Sequence, residues 1–190
     1  MSEKRYIFRR CSDVNLSKYA LAYKKMLQIA HQYTNNNFFG NLLYKVDQVE
    51  NQIIAICTSH GSILQHLTCD ELVIMMITIV DDCCYIDYTS QNGHQPTSEL
   101  PGWLEILLNF PEYPFIKHDH NCKDTSGLLI TDEEKQIGSI DLGYQAINTI
   151  NRVINNHPNE QLTKIEIILK NHGRLIIARS IDEVLLISYD

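Results

Sequence analysis

The sequence predicts an α/β fold in which helices pack on a mostly antiparallel sheet, because helical and strand patterns are mixed along the chain and several strands have the spacing of hairpins. Apolar residues recur at intervals of three and four over residues 16–34 and again over residues 140–154, which predicts two amphipathic helices. The short apolar runs 73–80 and 83–88 are separated by a polar pair, as buried strands joined by a tight turn are.

Further strands follow from the same patterns. Apolar runs bounded by polar turns predict strands at 42–46, 53–57, 115–120, 164–169 and 174–178. An N-terminal arm or edge strand is expected over residues 1–14, and the polar stretch 121–138 is expected to be a loop. No repeat, low-complexity tract or linker divides the chain, so residues 1–190 are expected to form a single domain.

Capping residues indicate where three helices begin. Ser98 is expected to be the N-cap of a helix that runs to Asn109 and tolerates Pro101 in its first turn. Thr68 and Ser180 are each followed three residues later by a glutamate, which is the pattern of a capping box. Both boxes are expected to open short helices.

The composition of the chain excludes several classes of partner. Of its 190 residues 44% are hydrophobic and 21% are charged, as in an ordinary globular domain. The net charge of −7 argues against binding to nucleic acid or to an anionic membrane surface. No apolar run approaches the ~20 residues that cross a bilayer. Because the N-terminus lacks the apolar core of a secretory signal and the six cysteines show no CxxC spacing, we expect reduced thiols and a cytoplasmic location.

Three histidines stand in a pattern that suits a metal ion. His118 and His120 are two positions apart, and on a strand such side chains point to the same face. His172 follows at a predicted strand junction, and catalytic zinc sites use three protein ligands and an open position. Glu99 would add a carboxylate as a fourth ligand or as a general acid/base. Spacing alone leaves two alternatives open, that the histidines are ordinary polar residues at a strand end and that Cys122 is a further ligand.

Five short motifs follow one another along the chain. They are Phe39-Gly40-Asn41, Ser59-His60-Gly61, Ser98-Glu99, His118-Asp119-His120 and Asn171-His172-Gly173. In this order they match the pattern of the class II aldolase/adducin family, whose best-known members are zinc-dependent sugar-phosphate aldolases such as fuculose-1-phosphate aldolase. The chain resembles this family over roughly residues 16–186.

The resemblance implies a three-layer α/β/α fold and a divalent metal, Zn2+ before other divalent cations, bound by His118, His120 and His172. Glu99 would coordinate the resting metal or move the substrate proton. The metal would polarise a carbonyl group and stabilise an enediolate. A substrate phosphate would lie among neutral donors at Gly40, Asn41, Ser59, Gly61, Thr97 and Ser98.

The function implied by the resemblance is that of a metal-dependent lyase of the aldolase type, or of an epimerase or dehydratase, acting on a small phosphorylated sugar or hydroxy-carbonyl compound. Such enzymes of carbohydrate metabolism are homo-oligomers, and a tetramer is the expected form. The alternative is a catalytically inactive, adducin-like binding or scaffold module, which Leu43 favours because a hydroxyl residue is usual there. Trp103 stands where the family has a histidine and is expected to be a core residue rather than a surface for substrate stacking.

Overall fold

The fold is described by a computed structural model that covers residues 4–11, 16–32, 40–120 and 125–185. The strands within these ranges are β1 (Arg5–Arg10), β2 (Gly40–Val49), β3 (Gln52–Thr58), β4 (Leu72–Val80), β5 (Cys83–Thr89), β6 (Phe115–Asp119), β7 (Leu129–Ile130), β8 (Lys164–Leu169) and β9 (Gly173–Ala178). The α-helices in the same ranges are α1 (Ala20–Ala30), α2 (Leu100–Asn109), α3 (Ile140–Asn156) and α4 (Asp182–Leu185).

The nine strands in the described ranges form one sheet in the order β1-β5-β4-β3-β2-β6-β9-β8-β7. The edge pairs β1–β5 and β7–β8 are parallel, and the six pairs between them are antiparallel. The predicted mostly antiparallel sheet is therefore confirmed. β6, which carries the histidine pair, lies inside the sheet, so residues of β2 and β9 flank it on both sides.

Helices cover both faces of the sheet, so the molecule has three layers. One core lies under α2 and α3 and includes Trp103 and Leu43. The other lies under α1 and α4 and includes Met26 and Leu42. Neighbouring residues of β2 thus serve opposite cores, as the alternation of side chains along a strand requires. The α/β/α arrangement is confirmed. No helix in the part of the chain described here is long and apolar enough to cross a membrane.

Several predicted helix boundaries differ from the structure. The helix predicted over 16–34 begins with a 3-10 turn, Leu16–Tyr19, and its α-helical part ends at Ala30, while residues 33 and 34 lie outside the described ranges. Ser98 is not the N-cap of α2, and this prediction was wrong by one residue. The N-cap is Glu99, because a turn in which the Leu100 N–H donates to the Thr97 carbonyl precedes the helix.

Two strand predictions also need correction. The strand predicted over 115–120 ends at Asp119, so His120 follows the strand rather than closing it. The predicted loop 121–138 contains the two-residue strand β7, which pairs with β8, while residues 121–124 lie outside the described ranges. The predicted edge strand near the N-terminus is confirmed as β1, and the capping box at Thr68 is present.

Candidate metal centre

Three histidine side chains meet at the end of β6. His118 is fully buried and faces α2, where its ring centroid lies 5.5 Å from that of Trp103. His120 is exposed, and its ring centroid lies 5.0 Å from that of His118. The ring of His172 stacks on His118 with 4.5 Å between centroids and lies 5.0 Å from that of His120. The structure thus brings together the three histidines that the sequence singled out.

A tight turn between β8 and β9 places His172 beside this pair. Asn171 has a φ of 56°, a left-handed conformation that asparagine tolerates better than most residues. Gly173 has a φ of 151°, and a Cβ there would lie 2.4 Å from the carbonyl oxygen of Asp119. Glycine therefore allows the start of β9 to approach the end of β6, and this approach brings His172 to the cluster.

A second glycine allows β2 to approach β6 from the other side. A Cβ at Gly40 would lie 2.3 Å from the carbonyl oxygen of His118. The next residue, Asn41, is the direct partner of His118 across the antiparallel pair. Paired residues share one face of a sheet, so the Asn41 side chain lies beside the histidines.

A hydrogen bond to the backbone determines which nitrogen of His118 faces the cluster. The His118 Nδ1 atom lies 2.9 Å from the carbonyl oxygen of Arg174. A carbonyl oxygen only accepts, so Nδ1 carries the proton and Nε2 keeps a lone pair in the neutral ring. Burial lowers the pKa of His118 to about 4, which keeps the ring neutral near pH 7.

The Glu99 carboxylate faces the histidines from the start of α2. Its Oε1 lies 3.1 Å from Nε2 of His172, and its Oε2 accepts a hydrogen bond of 2.9 Å from Nδ2 of Asn41. Burial by itself would raise the pKa of this carboxyl group. The hydrogen bond from His172, the charge that His118 can carry and the Asn41 amide together outweigh burial and lower the pKa of Glu99 to about 2. Glu99 is therefore an anion at neutral pH.

These four side chains fit a divalent metal ion. One ligand atom each from Glu99, His118, His120 and His172 lies within 4.8 Å of all the others. Three imidazole nitrogens and a carboxylate oxygen form a donor set that zinc accepts. The His118 Nε2 atom is buried and has no hydrogen-bond partner among the described residues. A ligand role accounts for this atom, because a buried polar group without any partner is costly.

A buried ion network lies behind the histidines, on the opposite face of β6. Asp119 is fully buried, and its Oδ2 lies 3.1 Å from Nη2 of Arg174 and 3.7 Å from Nζ of Lys117. Arg174 Nη1 also lies 3.1 Å from Oε1 of Glu166. Because the Arg174 carbonyl accepts a hydrogen bond from Nδ1 of His118, this network holds the residue that orients the His118 ring.

The remaining predicted substrate-binding residues lie on two loops that precede α2. An isolated β-bridge joins Ser59 to Pro96, so the two loops lie against each other. Ser59 and Thr97 are buried, whereas Gly61 and Ser98 are exposed. The bridge, together with a hydrogen bond from the Thr97 N–H to the Thr58 carbonyl, places Ser59 beside the segment that leads into α2. The role of these loop residues as phosphate ligands stays a prediction.

Comparison with solved structures identifies the fold. No protein-family model matches the sequence, and no curated protein matches it either. The sugar-phosphate aldolase from Thermotoga maritima matches with a TM-score of 0.67 at 15% identity, over 88% of this chain and 89% of its own. The chain has the class II aldolase fold. L-fuculose 1-phosphate aldolase from Glaciozyma antarctica PI12 shares this fold, with a TM-score of 0.58 at 13% identity over 93% and 72% of the two chains. An aldolase II superfamily protein from Pseudomonas syringae also shares the fold, with a TM-score of 0.56 at 14% identity over 90% of this chain and 70% of its own.

Within this class II aldolase fold, two contacts of the site had no counterpart in the sequence motifs. Trp103 is a core residue as expected, but its indole N–H also donates to Oδ1 of Asn41. Asn41 is thereby bonded to Trp103 and Glu99, while its role toward phosphate stays a prediction. The sequence contained one indication that Trp103 could lie near Glu99: the two residues are four positions apart, and such residues share a helix face. The second contact, from His118 to the backbone carbonyl of Arg174, could not be predicted, because every residue has a backbone carbonyl. Cys122 lies outside the described residues.

Proposed function

We propose that the protein is a metal-dependent lyase of the aldolase type, or an epimerase or dehydratase with the same chemistry, for a small phosphorylated sugar or hydroxy-carbonyl compound. The observation that carries the proposal is the convergence of His118, His120, His172 and Glu99, whose ligand atoms lie within 4.8 Å of one another. The fold supports it, because the structural relatives include a sugar-phosphate aldolase and a fuculose-phosphate aldolase.

The three histidines would bind Zn2+ or another divalent cation through one nitrogen each. When bound, the cation would supply Lewis-acid chemistry, polarising a substrate carbonyl and stabilising the negative charge that develops on its oxygen. For His118 the binding nitrogen is Nε2, because Nδ1 donates to the Arg174 carbonyl. His120 is exposed, so a small molecule can reach the cluster from its side.

Glu99 would move the proton. Its carboxylate is ionised near pH 7, because the surrounding hydrogen bonds lower its pKa to about 2. Its Oε1 faces the histidines, and Asn41 binds Oε2, so one oxygen is directed at the place where a substrate would react. Glu99 would take a proton from a carbon beside the carbonyl and return it, as a general acid/base does.

The loops before α2 support a phosphorylated substrate. Ser59, Thr97 and Ser98 carry hydroxyl groups, and Gly61 has a backbone N–H at a left-handed φ of 77°. The Ser59 hydroxyl is hydrogen-bonded to that of Ser62, and the Thr97 hydroxyl oxygen accepts from the Glu99 N–H. Neutral donors of this kind can bind a phosphate without a basic cluster, which agrees with the acidic composition of the chain. Gly40 and Asn41 are the other two predicted phosphate-binding residues. Gly40 lies against β6 and has its N–H to contribute, whereas both ends of the Asn41 amide are bonded, to Trp103 and to Glu99.

Metal analysis tests the proposal directly. The purified protein is expected to hold about one zinc ion per chain, and the double variant His118→Ala/His120→Ala is expected to lose it. His157→Ala is the matched control, because His157 is exposed and lies outside the cluster. A well-folded wild-type protein that neither contains nor takes up Zn2+ would contradict the proposal.

An inactive, adducin-like binding module on the same fold is the second candidate. Leu43 favours it, because this side chain is fully buried in the core and supplies no hydroxyl to the site. The convergence of three histidines and a carboxylate opposes it, because a scaffold has no need of them. Absence of divalent-metal affinity in a folded protein would favour the module.

The proposed enzyme would act in the cytoplasm as a homo-oligomer, with a tetramer as the expected form. Exposed apolar side chains on β1 support association, since Ile7 and Phe8 lie on the edge strand of the sheet that the described residues form. Sedimentation velocity would measure the assembly state. A strict monomer at high protein concentration would contradict the oligomer while leaving the metal centre untested by that result.

A further inference from the structure

Two hydrogen bonds in series link Trp103 to the Glu99 carboxylate. The indole Nε1–H of Trp103 donates to Oδ1 of Asn41 at 2.6 Å, and Nδ2 of Asn41 donates to Oε2 of Glu99 at 2.9 Å. All three side chains are buried, so bulk water does not substitute for either bond. These two bonds form a relay from Trp103 through Asn41 to Glu99, which begins in the core and ends at the histidine cluster.

The indole determines which way the hydrogen bonds of this relay run, from donor to acceptor. An indole N–H can only donate, so the Asn41 atom that it meets must be the carbonyl oxygen. That choice turns the Asn41 NH2 group toward Glu99. If the amide rotated by half a turn, its oxygen would face the carboxylate and repel it, while its NH2 group would face the indole N–H. Trp103 therefore selects the amide orientation that binds Glu99.

The backbone places the three residues so that each can reach the next. Trp103 follows Glu99 by four positions, one turn along α2, so both lie on the same side of the helix. Asn41 lies across the β2–β6 pair from His118 and faces the same side as that histidine. The amide of Asn41 consequently bridges the helix and the sheet beside the cluster.

We propose that Trp103 is a positioning residue that holds the Glu99 carboxylate toward the histidine cluster through Asn41. The inference rests on the proposed function in that it takes the cluster to bind a divalent metal. With Oε2 held by Asn41, Oε1 is left facing His172 at 3.1 Å. Loss of the indole N–H frees the Asn41 amide and, with it, the carboxylate. Supporting contacts of this kind typically change metal affinity by about 10- to 100-fold.

The variant Trp103→Phe keeps an aromatic ring in the core and removes the N–H. Its matched control is Tyr113→Phe, because Tyr113 is a buried aromatic in the same core whose hydroxyl donates to the Leu162 carbonyl, away from the site. Both variants lose one polar hydrogen from the core and are expected to lower the melting temperature. Only Trp103→Phe is expected to weaken Co2+ binding, by about 10-fold or more, and to change the visible absorption of the Co2+ protein.

A double-mutant cycle of Trp103→Phe and Asn41→Leu distinguishes the relay through Asn41 from a general loss of stability. In the variant Asn41→Leu the relay is already broken, so adding Trp103→Phe is expected to change Co2+ affinity by less than about twofold. An independent, additive loss in the double variant would overturn the relay. Equal Co2+ affinity and an unchanged Co2+ spectrum in Trp103→Phe would overturn it as well.

A metal-free measurement keeps the relay distinguishable from the proposed function. Trp103 is the only tryptophan of the chain, so the protein has one indole N–H resonance. In the chelator-treated protein this resonance is expected downfield and slow to exchange, and Asn41→Leu is expected to shift it upfield. A resonance that exchanges rapidly and keeps its chemical shift in Asn41→Leu would overturn the relay. Failure of the wild type to bind Co2+, with the indole result as expected, would overturn both the proposed function and the metal-positioning role while confirming the hydrogen bond.

Discussion

The Nδ1 atom of His118 donates a hydrogen bond of 2.9 Å to the backbone carbonyl oxygen of Arg174. This contact leaves Nε2 directed at the cluster, 3.7 Å from Oε2 of Glu99. The side chain of Arg174 is in turn held by Asp119, which follows His118 on the same strand. A buried ion pair between β6 and β9 thus holds the residue whose carbonyl orients the His118 ring.

Removing the acid of that ion pair should destabilise the fold. Asp119→Ala leaves the buried charges of Lys117 and Arg174 without their shared carboxylate, which is expected to cost about 3–5 kcal/mol of unfolding free energy. Asp132→Ala is the control, because Asp132 pairs with Arg152 at the surface and such pairs contribute about 0–1 kcal/mol. Urea unfolding of both chelator-treated variants measures the difference. Equal losses would mean that the buried network contributes little.

The close approach at Gly173 can be tested with a single methyl group. Gly173→Ala would place a Cβ 2.4 Å from the Asp119 carbonyl oxygen and 3.0 Å from Cε1 of His118, so we expect lower stability and weaker Zn2+ binding. Gly127→Ala is the control, because Gly127 also has a positive φ of 80° but its Cβ position has no atom of the described residues within 4 Å. The control should lose only the backbone term of about 1–2 kcal/mol. Thermal unfolding and zinc content distinguish the two, and matching values would refute the steric explanation.

Substitution of Glu99 should separate metal binding from proton transfer. Glu99→Gln keeps the shape of the side chain and its contact with Asn41, so the three histidines should still hold Zn2+, with lower affinity because the carboxylate is lost. It removes the anion that would take the proton, so exchange of the carbon-bound protons of dihydroxyacetone phosphate in deuterated water should slow about 100-fold or more. Proton NMR measures this exchange. Wild-type exchange rates in the variant would remove Glu99 from the mechanism.

Mild acid should destabilise the metal-free protein. Burial lowers the pKa of His118 from the ordinary 6.5 to about 4, so between these pH values the unfolded chain binds a proton that the folded chain does not. The stabilising contribution is therefore complete above pH 6.5 and is lost as the pH falls toward 4, by about 3 kcal/mol in total. Urea unfolding with a chelator at several pH values measures it. The variant His118→Leu should show a weaker pH dependence, and an identical slope would contradict the assignment.

Local sequence patterns were sufficient for most of the fold. The apolar periodicity of residues 140–154 predicted α3, and the apolar runs 73–80 and 83–88 predicted β4 and β5 almost to the residue. Errors occurred where a boundary depended on one turn, as at Ser98, where the Thr97 turn moves the N-cap to Glu99. Such a turn involves only a few residues and adds little to a periodic pattern.

For the candidate site too, the sequence indicated which residues to consider, and only the folded structure showed how they meet. The spacing of the histidines suggested a metal site but left alternatives open. The order of the five motifs, which matches the class II aldolase/adducin pattern, then singled out His118, His120, His172 and Glu99 as candidates. Their convergence required the folded chain. The hydrogen bond that selects Nε2 of His118, the room that Gly173 leaves, and the link from Trp103 through Asn41 all join residues that are distant in sequence. Such contacts depend on how β2, β6 and β9 lie side by side and on where α2 packs against them, and no local pattern encodes those distances.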